Sequence, residues 1–211
     1  MTLRRLLFTI LVLAATAPAP AFAQQSLGIR GYVLFGVAQL AAKDTFEAVA
    51  DTSQQPVFGG GIQVTHIWRG VFADVGSSQI QTIDGERVFV DEGEVFELGI
   101  PLEVKMRPLD IAGGWRLEFG RVSPYVGAGV TFFRYEESSE DADVGENVEE
   151  NKTGPLFLGG VDVAIVSWLH AGGEIRYRQV TGILGEGGVS AEFGEDNAGG
   201  LSAAVRISIG R

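Results

Sequence analysis

From Leu27 onward the chain alternates, residue by residue, between an apolar side chain and a small or polar one. Successive side chains of a strand point to opposite faces, so a period of two predicts two-faced β-strands. The clearest run is Val95 to Met106. There Phe96, Leu98, Ile100, Leu102, Val104 and Met106 share one parity, and Glu97, Gly99, Pro101, Glu103 and Lys105 share the other. A tilted barrel strand crosses a bilayer in about nine to eleven residues, and this run has that length. No later segment approaches the ~18 unbroken apolar residues that a spanning helix needs.

The N-terminus sets the compartment. Arg4 and Arg5 precede a short apolar run, Leu6 to Ala15, and Ala21-Phe22-Ala23 is an A-x-A-like cleavage site. Residues 1–23 therefore read as a secretory signal peptide, and residues 24–211 as one outer-membrane barrel domain beginning at Gln24. Pro18 and Pro20 break the apolar run, which argues against an anchor helix. The 211 residues hold 27 acidic and 16 basic side chains, a formal charge of −11. The leader contains Arg4 and Arg5 and no acid, so the mature chain is more acidic still, and nucleic acid is not an expected partner. The absence of cysteine excludes a disulfide scaffold, thiolate metal sites and a lipobox.

Eight strands are expected: Leu27–Leu40, Val57–Trp68, Val71–Ile80, Val95–Met106, Tyr125–Tyr135, Leu156–Leu169, Ala171–Val180 and Leu201–Gly210. Long polar connections alternate with short ones, the pattern of long extracellular loops and short periplasmic turns in outer-membrane barrels. The stretch from Arg107 to Pro124 departs from it. Trp115, Leu117 and Phe119 alternate with Arg116 and Glu118, so it either extends the Val95–Met106 strand or forms an extra hairpin around 108–123. The fold class is all-β, an eight-stranded antiparallel up-and-down transmembrane barrel.

A secreted soluble barrel or sandwich would share the period. It would need a well-charged outer face, whereas the non-apolar parity here is mostly Gly, Ala, Ser and Thr. The charges on that parity nearly balance. Arg30, Lys105, Arg176, Arg178 and Arg206 stand against Asp74, Glu97, Glu103, Asp162 and Glu174. Buried charges persist when paired, so these ten are the expected lumen charge cluster, with Asp162 the nearest acid to strand Ala171–Val180. Trp68, Trp168, Phe132 and Tyr135 are the expected interfacial aromatics.

The Gly31-Tyr32 start of the first strand, Pro124-Tyr125-Val126-Gly127-Ala128-Gly129-Val130 and Gly172-Gly173-Glu174-Ile175-Arg176-Tyr177-Arg178 resemble the outer-membrane β-barrel domain superfamily, the OmpA/OmpX-like small eight-stranded barrels. The resemblance covers the whole mature chain. It implies insertion by the outer-membrane assembly machinery, contact with outer-membrane lipid and lipopolysaccharide, and a monomer in the outer membrane of a Gram-negative-type bacterium. That machinery reads a final strand usually ending in an aromatic residue, whereas this chain ends Gly210-Arg211.

Catalytic signals are thin. Acyl hydrolysis needs a histidine base, and both histidines, His66 and His170, fall near the expected periplasmic turns, away from outer-leaflet lipid A. The glycine runs precede no helix, so they do not make a phosphate cradle. In the acidic stretch Glu136 to Thr153, Glu140, Asp141, Asp143 and Glu146 are a weak candidate for a divalent cation, but the spacing fails as an EF-hand. No catalytic residue, resident metal or cofactor is expected. The expected function is a non-enzymatic barrel with a structural or surface-interaction role and a side-chain-filled lumen. A narrow channel or carrier for small solutes is the alternative.

Overall fold

The computed structural model describes residues 27–80, 82–91, 94–139, 148–184 and 189–210. The proposed signal peptide and the candidate cation loop, residues 140–147, lie outside the described residues. The strands are β1 (Gly28–Leu40), β2 (Gln54–Thr65), β3 (Val71–Ile80), β4 (Ile83–Asp91), β5 (Glu94–Arg116), β6 (Val122–Ser139), β7 (Val148–Val166), β8 (Leu169–Arg178) and β9 (Gly200–Gly210). The helices are α1 (Lys43–Ala50) and α2 (Val189–Glu192).

β1 pairs with both β2 and β9, and β3 pairs with β5, so eight strands close into a ring in the order β1-β2-β3-β5-β6-β7-β8-β9. Every pairing is antiparallel. Closure satisfies backbone groups without leaving an edge in hydrocarbon. β4 stands outside the ring and pairs, among the described residues, with β5 alone. Around the ring Val33, Phe35 and Val37 of β1, Ile175 and Tyr177 of β8, and Val205 and Ile209 of β9 face outward and are exposed. A single closed barrel with an apolar outer belt suits lipid, and it is not a two-sheet sandwich. No helix among the described residues is long and apolar enough to cross a membrane; the crossing is made by strands.

β5 runs 23 residues, roughly twice what a bilayer requires of a tilted strand. Its second half, Leu109 to Arg116, pairs with β6 on one side and with β3 on the other. Its first half pairs with β4 and projects beyond the ring. The Arg107–Pro124 stretch therefore extends this strand as far as Arg116, followed by a turn. The extra hairpin is formed upstream instead, by β4 and the start of β5.

Along β5 the even-numbered residues from Leu102 to Arg116 face inward without a register break against β6. The chemistry of the two faces exchanges near Pro108. Below it, Leu109, Ile111 and Trp115 are apolar and face lipid, while Asp110 and Arg116 are buried in the lumen. Above it, Leu102, Val104 and Met106 are buried inside, and Glu103 and Lys105 lie half-exposed on the outer surface. The backbone has not turned over; the surroundings have. Inside the membrane the outer face meets lipid, and above it the outer face meets water.

That exchange also sets the core. Leu34, Phe46, Ile80, Leu102, Val104, Met106, Phe133 and Ile183 belong to one buried cluster that fills the upper lumen and carries α1 on top. Phe72, Ala112, Tyr125, Leu156 and Leu158 form a second cluster. The helices and the β4–β5 hairpin share one end, taken as extracellular. The short turns after β2, β5 and β7, the start of β1 and the end of β9 share the other.

α1 lacks a capping side chain of its own at Ala42. Glu195 supplies the cap, accepting hydrogen bonds from the Asp44 and Thr45 amides at 3.1 and 2.8 Å and from Thr45 Oγ1 at 2.8 Å. A carboxylate there meets the orphan amides and the positive end of the helix. β4 is pressed against the far end of α1: a Cβ on Gly85 would lie 2.3 Å from the Val49 carbonyl oxygen.

Candidate functional site

The membrane section of the lumen is a cross-linked set of charges. Arg176 on β8 makes four contacts. Its Nε donates to Glu174 Oε1 at 2.6 Å, its Nη1 to Asp110 Oδ2 at 2.8 Å, and its Nη2 to the Tyr32 hydroxyl at 2.9 Å and to Asp74 Oδ1 at 3.4 Å. Arg178, one inward step further along β8, donates Nε and Nη2 to the two oxygens of Asp110 at 3.1 and 2.6 Å and reaches Ser78 at 2.7 Å. Arg206 on β9 is fully buried. Its Nη1 donates to Glu174 Oε2 at 2.9 Å and to the Tyr125 hydroxyl at 3.0 Å, and its guanidinium carbon lies 3.9 Å from the Tyr32 ring centre. Multiple charge-assisted bonds per guanidinium are what allow such ions to stay buried.

Two tyrosines brace the set. Tyr32 donates to Asp74 Oδ1 at 2.9 Å and Tyr125 to Glu174 Oε2 at 2.8 Å. Both rings need room beside neighbouring strands, and glycine provides it. A Cβ on Gly76 would lie 2.3 Å from the Tyr32 hydroxyl oxygen, and one on Gly160 would lie 2.5 Å from that of Tyr125. The strand glycines thus serve lumen filling at identifiable places.

Towards the periplasmic end the contacts thin out. Arg116 Nη2 donates to Gln63 Oε1 at 2.7 Å and lies 2.8 Å from Asp162 Oδ2, which Arg30 approaches at 4.0 Å. Nε and Nη1 of both Arg30 and Arg116, Nε and Nη2 of Arg206, His170 Nδ1 and Ser208 Oγ lack hydrogen-bond partners among the described protein groups. Buried polar atoms of that kind are where water belongs.

Of the ten residues assigned to the lumen from the sequence, Arg30, Asp74, Asp162, Glu174, Arg176, Arg178 and Arg206 are buried inside. Glu97, Glu103 and Lys105 are not. Glu103 and Lys105 pair with each other on the outer parity of β5, and Glu97 is exposed further out along the same strand, because this half of the strand lies above the membrane where water reaches it. Asp162 serves Arg116 and Arg30; the acids from other strands that serve β8 are Asp110, which meets both Arg176 and Arg178, and Asp74, which meets Arg176. Asp110, Arg116, Gln63 and Tyr125 are the residues that sequence reasoning did not single out. The alternation of Leu109, Ile111 and Trp115 against Asp110, Ala112 and Arg116 was the signal that would have found the first two.

Among the aromatics, Trp68, Trp168 and Phe132 are exposed on the outer surface, and Trp115 joins Trp68 in an edge-to-face pair with centroids 6.3 Å apart. Tyr135 is corrected: it is buried on the inner parity of β6 and donates to Glu137 Oε2 at 2.9 Å. The acidic stretch is also shorter as a loop than its composition suggests, since β6 continues to Ser139 and β7 begins at Val148.

His66 occupies the β2–β3 turn with a positive φ of 58°. Its Nε2 lies 2.7 Å from Glu118 Oε1 and its Nδ1 3.1 Å from Thr65 Oγ1. Hydroxyl, imidazole and carboxylate in a row imitate a nucleophile, base and orienting acid. Thr65 is fully buried, however, so its hydroxyl offers a substrate carbonyl no approach. His170 is buried at the periplasmic end of the lumen.

The chain is similar in fold to known outer-membrane barrels. It aligns with a major outer membrane protein from Thermus thermophilus at a TM-score of 0.58 and 8% identity, over 89% of this chain and 100% of that one. It also aligns with Ail, the attachment invasion locus protein of Yersinia pestis, solved in complex with the heparin analogue sucrose octasulfate. There the TM-score is 0.51 and the identity 9%, over 89% of this chain and 100% of that one. No curated protein matches it by sequence. The family model for the outer membrane protein beta-barrel domain matches residues 9–206. This chain belongs to the outer membrane protein beta-barrel domain family.

Proposed function

We propose that this protein is a non-enzymatic, non-conducting barrel of the Gram-negative outer membrane that acts through its extracellular end. The observation that supports this reading is the Arg176–Glu174–Asp110–Asp74 cross-link spanning the lumen, with an apolar cluster stacked above it. An eight-stranded barrel is about wide enough for its own side chains, and here those side chains bond to one another. The inaccessible Thr65 hydroxyl argues against hydrolysis by the His66 row. The formal charge of −11 opposes a polyanionic ligand. Cleavage after Ala23, delivery through the assembly machinery, lipopolysaccharide as surrounding lipid and a monomeric state complete the proposal.

Liposome swelling tests it. Vesicles carrying the refolded protein should not swell faster than empty vesicles in iso-osmotic amino acids or small sugars. Size-dependent swelling would favour the carrier reading.

A further inference from the structure

The extracellular end carries a cavity of about 490 Å³ between the inner face of the β4–β5 extension and the two helices. Its floor is the top of the apolar cluster, Leu102 and Val104 of β5 and Phe46 of α1, and Leu98 stands exposed in its wall. A volume of this size with an apolar lining and few polar groups is the usual form of a small-molecule site. The walls are held in place independently of any ligand. Glu195 ties the start of α1 to the segment after α2, and Gly85 lets β4 lie directly on the end of α1.

The polar groups of the lining determine what it accepts. Three hydroxyls already donate within the protein: Thr45 to Glu195, Ser190 to the Leu184 carbonyl and Tyr135 to Glu137. Burial, with the Glu137 carboxylate beside it, holds the Tyr135 phenol well above its usual range, so it remains the donor in that pair. The Glu137 carboxylate has capacity for several hydrogen bonds, of which Tyr135 supplies one. A ligand therefore meets an apolar chamber with two charged groups in its lining, the Glu137 carboxylate and the Arg87 guanidinium, and Arg87 already has a partner of its own.

We infer that this cavity is a binding site for a small, uncharged, largely apolar molecule bearing one N–H or O–H donor, which Glu137 accepts. With Arg87 already engaged, the Glu137 carboxylate disfavours anionic amphiphiles such as fatty acids. The inference rests on the extracellular end being the working end of the barrel. A conducting barrel would overturn that reading without altering ligand capture.

Two dyes that share an arylaminonaphthalene skeleton provide the test: N-phenyl-1-naphthylamine, uncharged with one N–H, and its sulfonated analogue 1-anilinonaphthalene-8-sulfonate. Both are titrated against the full barrel in lipid nanodiscs, with Val104→Trp and Leu98→Trp barrels in the same nanodiscs as the background. Leu98→Trp changes an exposed wall position, so it preserves the test if Val104→Trp fails to fold; the shift between boiled and unboiled samples on a detergent gel reports folding. The expected result is saturable fluorescence of the uncharged dye, lost in the folded tryptophan variants. Binding of the uncharged dye should weaken about tenfold in Glu137→Leu, and the sulfonate should bind at least about tenfold more weakly to the unmodified barrel. Equal signal from the unmodified and tryptophan-filled barrels would show bilayer partition alone and overturn the site. Equal affinity for the two dyes would overturn the ligand class.

Discussion

Arg176 reaches across the lumen from β8 to Asp110 on β5, its Nη1 2.8 Å from Oδ2, and both side chains are almost wholly buried. The two strands are not neighbours in the ring, so this bond ties opposite walls together. Asp110 also takes two bonds from Arg178, so this one carboxylate serves both buried guanidinium groups of β8.

Removing that acid should be costly. Asp110→Ala leaves Arg176 short of one partner and Arg178 bonded to Ser78 alone among the contacts described above. Breaking a truly buried ion pair typically costs about 3–5 kcal/mol, less where water enters. Glu149→Ala removes an exposed partner of Arg134 and should cost at most about 1 kcal/mol. Urea unfolding of both variants in lipid vesicles measures the difference. Equal losses would contradict the assignment of Asp110 to the centre of the network.

The tyrosine braces depend on missing side chains. In Gly76→Ala the new methyl would sit 2.3 Å from the Tyr32 hydroxyl oxygen, forcing it away from Asp74 and Arg176. Overpacking of this kind costs about 1–3 kcal/mol. Gly31 lies on the outer parity with nothing near its Cβ position, so Gly31→Ala should be close to neutral. The same unfolding measurement separates them, and a neutral Gly76→Ala would show that Tyr32 is not wedged as described.

The face exchange along β5 is open to labelling, because the chain has no native cysteine. A membrane-impermeant maleimide applied to intact cells should modify Lys105→Cys readily and Val104→Cys hardly at all. The reverse order would return Lys105 to the lumen and place Val104 on the outside.

Most of the ring was legible because the membrane imposes opposite chemistry on the two faces of each crossing strand. Ile175 and Tyr177 against Glu174, Arg176 and Arg178 could be assigned by parity alone. The same rule failed on Val95–Met106 because it presumes lipid outside. Above the membrane the apolar parity turns inward, and nothing local to Leu102 or Val104 announces the change; the clue lies further on, where Leu109 takes up the opposite parity. β4 escaped notice because Asp84, Glu86 and Arg87 read as loop residues, although a strand wet on one side accommodates them. Asp110 and Arg116 lie in the one connection whose topology the sequence leaves open, so parity points to Asp162 on the neighbouring strand as the partner of β8. Long-range pairs such as Arg176 with Asp110 depend on barrel closure, which periodicity along the chain does not encode.

Closure of the lumen is tested most directly by single-channel recording of the refolded, purified protein in a planar bilayer. The Arg176 network and the apolar cluster above it predict no steady conductance steps across the usual voltage range. Reproducible, ohmic steps from the unmodified protein would contradict a sealed lumen and establish the barrel as a channel.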